Sequence, residues 1–234
     1  MSSTRRMSHL APSVAAGLMA LACACGNITS SADATVRVTV EGTRDLAFVE
    51  VEDDGTVELE GDVTLDRALV RIGALEVTSD EDATSLGSPI NLDLFARTIV
   101  WEGTLAGTRL TQLSLAIPMP NGDGVVRGAP ISVFLSGLLF GEPFEYRDAS
   151  MDPFTVALSA ALGSTDRELD IRFELRDLFI AVEEDTLVED ALGGFVLDAT
   201  HNSAAAAQVE AALRASVSVA VGAYARCPSC AVGQ

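Results

Sequence analysis

With 234 residues, 48% of them hydrophobic, the chain can bury one core of ordinary size, and its composition is that of a globular rather than a disordered protein. Its 34 acidic residues face 15 basic ones, all of them arginine, for a formal net charge of −19. Such a field repels nucleic-acid phosphates and anionic lipid headgroups, so DNA or RNA binding is set aside.

The chain opens with an address. Arg5 and Arg6 form a basic n-region, and an apolar, acid-free run of about fifteen residues follows from Leu10 to Ala24, the layout of a signal peptide over residues 1–24. A permanent membrane span needs roughly twenty apolar residues, so the run is too short to remain as an anchor. The small residues before the thiols in Leu21-Ala22-Cys23 and Ala24-Cys25-Gly26 resemble the lipobox of bacterial lipoproteins. That resemblance implies acylation of Cys25, which Gly26 follows, with Cys23 as the fallback, and leaves residues 25–34 as a short tether. Ordinary cleavage after Ala32-Asp33-Ala34 is the alternative. A twin-arginine signal would place large apolar residues where Met7, Ser8 and His9 stand. Removal of the leader takes away Arg5 and Arg6 and no acid, so 13 positive charges remain against 34 negative ones, a net near −21.

From Ala34 onward apolar residues recur with period two, the mark of strands with one buried face. Val36, Val38 and Val40 come first; Phe48, Val49 and Val51 lead through a hairpin turn at Asp53-Asp54-Gly55 into Val57 and Leu59. Leu69, Ile72, Leu75 and Val77 form a longer run with Gly73 as a bulge. Beyond the loop Ser79-Asp80-Glu81-Asp82 and the turn Gly87-Ser88-Pro89 come Leu92 and Leu94, Ile99 to Trp101, then Leu110, Leu113, Leu115 and Ile117. Trp101, between Val100 and Glu102, is expected to be half-buried. Pro118 and Pro120 close that run at the turn Asn121-Gly122-Asp123-Gly124. Ile131, Val133 and Leu135, the pair Phe144 and Tyr146, and Phe154, Val156 and Leu158 continue the pattern. The sharpest alternation sets Leu169, Ile171, Phe173 and Leu175 inward against an outward row of Glu168, Asp170, Arg172, Glu174 and Arg176.

Helix is expected once, near residues 203–216, with Ser203 as its cap and Val209, Leu213 and Val217 on one face packed on a sheet edge. Val217, Val219 and Val221 then return to strand periodicity. Turn signals every ten or so residues predict a mainly β chain, an antiparallel sandwich or open barrel over residues 35–234, in a single domain without repeat or linker.

Leu105-Ala106-Gly107-Thr108-Arg109-Leu110-Thr111-Gln112-Leu113-Ser114-Leu115 stands downstream of Gly73-Ala74-Leu75-Glu76-Val77 and Asn91-Leu92-Asp93-Leu94. It precedes Phe144, Phe154 and the strand Leu169 to Phe173. This order is similar to a family of uncharacterised bacterial envelope lipoproteins with an immunoglobulin-like or transthyretin-like β-sandwich. The resemblance spans Val63 to Val182 and implies an envelope location and a sandwich fold, without a known reaction.

Four cysteines are present. With Cys25 acylated and Cys23 lost with the leader, Cys227 and Cys230 remain as an even pair, read as a disulfide in an oxidising compartment. A redox Cys-x-x-Cys would stand at a helix start, where the dipole lowers the thiol pKa, and Cys227-Pro228-Ser229-Cys230 stands four residues from the end. Zinc would need His201 and distant carboxylates to complete four ligands.

His201, the one histidine outside the leader, follows Asp198 by three residues and reads as a loop or capping residue rather than as a catalytic base. Gly-x-Ser-x-Gly, phosphate-loop and His-Glu-x-x-His motifs are missing from the sequence. The carboxylates at Asp53-Asp54, Asp80-Glu81-Asp82 and Glu183-Glu184-Asp185 read as solvated turns; two in one cleft would serve sugar hydrolysis, and loop carboxylates could hold calcium. Asn121-Gly122-Asp123-Gly124 lacks the distal glutamate of an EF-hand loop. With one Trp and two Tyr, there is little from which to build a sugar-stacking platform. The expectation is a non-enzymatic lipoprotein without cofactor, extracytoplasmic and held in the outer membrane by its lipid, with an envelope or extracellular partner. A hydrolase using loop carboxylates and a calcium-dependent adhesion module are the alternatives.

Overall fold

The computed structural model describes residues 34–43, 57–59, 62–85, 88–149, 151–162 and 166–223. In chain order the strands are β1 (Ala34–Thr43), β2 (Val57–Leu59), β3 (Val63–Ile72), β4 (Ala74–Ser79), β5 (Ala83–Ser85), β6 (Ile90–Asp93) and β7 (Thr98–Leu105). β8 (Arg109–Ile117), β9 (Val133–Leu139), β10 (Glu142–Asp148), β11 (Met151–Ala161), β12 (Arg167–Glu174) and β13 (Phe195–Leu197) follow. The helix α1 (Ser203–Ser216) then runs directly into β14 (Val217–Ala223). The chain is thus mainly β with one C-terminal helix, as its periodicities predict.

Three sheets form, in the orders β14-β12-β1-β7, β13-β10-β9-β3-β2 with β6 also on β3, and β11-β8-β4-β5. One cluster of buried side chains draws on all three, the arrangement that a sandwich requires. Two of the sheets are mixed, not purely antiparallel, β1 running parallel to β12 and β10 parallel to β13, and the third is antiparallel throughout. Local periodicity reports which face of a strand is buried and nothing about which distant strand lies beside it, so direction could not be read from it.

Gly73 departs from expectation. It stands between β3 and β4, which belong to different sheets, so it marks the corner where the chain changes layer instead of a bulge within one strand. A Cβ there would lie 2.2 Å from Cγ of Pro118, which only glycine avoids. The bulge sits earlier, between Leu65 and Arg67 on β3, and it shifts the inward face onto Ala68, Val70 and Ile72 while Leu69 turns away from the core. Opposite the bulge, Gly137 of β9 passes so close to β3 that a Cβ would meet the Thr64 carbonyl oxygen at 1.9 Å. A second register shift, between Thr78 and Ser79, explains how Leu110 and Leu113 both face inward although three residues apart. Thr111 fills the extra position and donates its hydroxyl to the Thr78 and Ser79 carbonyls, each at 3.2 Å.

Trp101 is half-buried, as expected, and Ile131 lies just ahead of β9 rather than within it. On α1 the buried residues are Ala205, Ala206, Val209 and Leu213, and the helix meets β12 of the first sheet and β13 of the second. Its first turn differs from the expectation: Asn202, not Ser203, holds the cap position, in the left-handed region at φ 46°. No helix among the described residues is long and apolar enough to cross a membrane.

Candidate functional site

Between β12 and α1 the chain crosses from the first sheet to the second in an irregular stretch, residues 175–202, broken only by a short 3-10 turn (Glu184–Thr186) and β13. Its first part is anchored by apolar burial. Leu175, Leu178, Phe179 and Val182 are all in the core, and the Phe179 ring meets Phe144 edge-on at 5.0 Å. Its far end is anchored by Asn202. The carboxamide nitrogen donates to the carbonyls of Val188 and Val196, each at 3.0 Å, and its oxygen accepts from the Val188 amide at 2.8 Å. Asn202 is a clamp for this segment, so its side chain does not cap the helix that follows.

Two aspartates shape the turns in between. Asp190 accepts from the amides of Leu192 and Gly194 at 2.7 and 3.2 Å. Asp198 accepts from the Thr200 amide and hydroxyl and from the His201 amide, at 2.7, 2.8 and 2.8 Å. Burial pulls the Asp198 carboxyl upward, but these bonds, with that from the His201 ring, outweigh it and bring it down to about 2.

Three adjoining clefts open around this segment. One of about 450 Å³ lies on the outer face of the second sheet, between Asp66, Ser136, Glu145, Asp190 and Leu192. Another of about 440 Å³ lies between Val188, Glu189, Asp190, His201 and the first turn of α1, and a third of about 360 Å³ runs past Arg147, Asp148, Asp198 and Thr200. Asp190 and Val196 border the first two, Thr200 the second and third, and Arg147 the first and third. Beneath them Tyr146 is buried and donates to Asp148 at 3.2 Å; burial first, then the Asp148 charge, raises its phenol well above the ordinary range.

Chemically, each carboxylate of the first cleft is engaged: Asp66 accepts from Ser136 at 2.8 Å, Glu145 pairs with Arg147, and Asp190 closes its own turn. His201 is exposed, and both Asp198 and Thr200 bond the same ring nitrogen, Nδ1, at 3.0 and 2.8 Å. A relay needs the carboxylate on one ring nitrogen and the nucleophile on the other, so this trio is a turn, as the loop reading of His201 has it. Among the described residues no three of His, Cys, Asp and Glu gather as a metal would require. Of the carboxylate runs, Asp80 binds the Thr108 amide and hydroxyl and the Arg109 amide, fixing the turn into β8. The Thr108 hydroxyl is the main cause of its lowered pKa. Glu183, Glu184 and Asp185 stand in solvent. The loop at Asn121 to Gly124 is held by backbone bonds, Gly124 to Ala129 at 2.8 Å and Val125 to Ile131 at 2.8 Å.

The leader, Cys23, Cys25, Cys227, Cys230 and the turn Asp53-Asp54-Gly55 lie outside the described residues. Sequence reasoning did not single out Val188, Asp190, Leu192 or the side chain of Asn202. One signal was available: Leu187, Val188 and Leu192 are aliphatic within an acidic stretch too short and too broken by Gly193 and Gly194 for the helix that their spacing of four would suit. Set against known proteins, the chain matches no family model, no curated protein and no solved structure.

Proposed function

We propose that the protein is a non-enzymatic lipoprotein of the cell envelope, extracytoplasmic and anchored in the outer membrane through Cys25, whose β body presents the β12–α1 crossing to a partner. We place its fold, on the resemblance over Val63 to Val182, with the immunoglobulin-like or transthyretin-like sandwiches of envelope lipoproteins. The observation that carries the binding reading is the crossing itself. Around its clefts Asp190, Asp198 and Asn202 are spent on holding turns, while aliphatic side chains stand in water, with Val188 72% and Leu192 95% exposed. Large aliphatic groups exposed on one short segment beside adjoining clefts suit a contact surface. Support for the anchor comes from the brief apolar leader that stops among small residues at a thiol.

The anchor is tested by labelled palmitate incorporation in cells. Wild type is expected to take up label, Cys25→Ala to lose it and Cys23→Ala to keep it. Label retained in the double variant, or absent from wild type, ends the lipoprotein reading.

A further inference from the structure

We infer that the crossing between β12 and α1 is the docking surface for a cationic polypeptide that carries aliphatic side chains; this rests on the binding reading above and gives its partner a chemistry. Two features of one segment combine. The first is apolar: Val188 borders the second cleft, Leu192 borders the first, and Ile180, earlier on the segment, is 63% exposed. The second is charge. Glu183, Glu184, Asp185 and Glu189 are exposed on the same stretch, and none of them forms an ion pair among the described residues.

The arginines around them are already committed, Arg147 to Glu145, Arg176 to Asp177 and Arg214 to Glu210. The surface therefore offers aliphatic contacts inside an uncompensated negative field, and a partner must bring both complements. A lysine or arginine does so in one side chain, because its methylene stem packs on apolar surface while its head stays with carboxylates. Laid into either cleft, such a side chain would run its stem along Leu192 or Val188 and set its charge at the rim formed by Asp190 and Glu189.

Charge also decides against two other occupants. A second copy brings its own net charge near −21 to the contact, and an anionic lipid surface is repelled in the same way. The segment is pre-ordered as well: Phe179 on Phe144 at one end and the three Asn202 bonds at the other hold its backbone before any partner arrives. Binding then has less chain to order, which favours affinity from a small contact.

The test uses the full mature chain and a fluorescent synthetic peptide of alternating lysine and leucine, read by anisotropy. Peptides in which serine replaces leucine, or glutamate replaces lysine, serve as comparisons. Wild type is expected to bind the lysine–leucine peptide at least about tenfold more tightly than either. The Val188→Ser/Leu192→Ser variant should lose most of that preference, and the Glu183→Gln/Glu184→Gln/Asp185→Gln/Glu189→Gln variant should lose affinity and salt dependence together. Both change exposed side chains, and thermal melts confirm folding. Ile99→Ser, which removes an aliphatic group 52% exposed on β7, should bind as wild type does. Equal binding of the lysine–serine peptide, or equal losses from Ile99→Ser and the Val188/Leu192 variant, would overturn the inference as mere attraction of a polycation. So would self-association that Leu192→Ser abolishes, or binding to phosphatidylglycerol vesicles through this segment. The palmitate assay reads the anchor separately, so either claim can fail while the other stands.

Discussion

Asp170 lies on the row of β12 that alternation assigns to solvent, yet only 7% of its surface is exposed. The parallel register sets Thr39 of β1 directly beside it, and the Thr39 hydroxyl donates to its carboxylate at 2.7 Å. Arg172 donates from Nε and Nη2 at 3.0 and 2.7 Å, and Arg97 approaches to 3.6 Å. Burial raises this carboxyl, but Thr39, Arg172 and Arg97 outweigh it, so its pKa ends below the ordinary value. Replacing one buried, charge-assisted partner set costs about 1.5–3 kcal/mol, and Asp170→Asn is expected to lose that much at neutral pH. The sign with pH follows from linkage. A carboxyl held low in the folded state stabilises above its unfolded pKa of about 3.9 and stops doing so as pH falls through its folded value. Urea midpoints of wild type and variant should therefore converge below about pH 4; a gap of constant size down to acid pH would mean that the charge is not what matters there.

At the scale of elements, Asn202 joins the helix start to the crossing, and two substitutions separate its two jobs. Asn202→Gly keeps the left-handed backbone at φ 46° but removes the three side-chain bonds to Val188 and Val196. Asn202→Ala removes the same bonds and leaves a Cβ in that region without the polar group that eases it, a strain of about 1 kcal/mol relative to glycine. Hydrogen exchange at the Val188 amide should accelerate in both variants, and melts should rank alanine below glycine. Unchanged protection in the glycine variant would show that the carboxamide is not the clamp. The same junction shows what a sequence carries and what it does not. Strand faces such as Leu169, Ile171 and Phe173 were legible because burial of one face leaves a period of two. The helix was legible from Val209 and Leu213. The cap was not, since Asn202 and Ser203 cap about equally well and only Asn202 also tolerates positive φ. The bulge at Asp66 was hidden because an inserted residue looks locally like broken periodicity, and the parallel neighbour of β12 was hidden because it lies about 130 residues away. The clefts escaped for a similar reason. They form where the crossing meets β10 and the first turn of α1, and its acids read alone look like solvated loop.

Across the whole molecule, acidity sets two effects against each other. Near neutral pH a net charge of −19 favours the expanded chain through self-repulsion. As pH falls toward the isoelectric point of about 4.2, exposed carboxylates take up protons and that repulsion fades, which favours the folded state. From about pH 5 downward, where the unfolded chain's carboxyls begin to bind protons, the balance turns. Asp80, Asp170 and Asp198 stay ionised in the folded state because their hydrogen bonds hold them low, whereas the unfolded chain binds those protons, so each further step toward the Asp198 value of about 2 destabilises the fold. The melting temperature should therefore peak on the acid side of neutrality, at roughly pH 4.5–6, rather than at pH 7. Salt tells the two limbs apart. Raising ionic strength from about 0.01 to 0.15 M shortens the Debye length from roughly 30 to 8 Å; this screens repulsion across the surface and should raise the melting temperature at pH 7. The acid limb rests on hydrogen bonds at close contact and should move little. A melting temperature that climbs steadily to pH 8 in low salt would show that self-repulsion is too weak to matter in this chain.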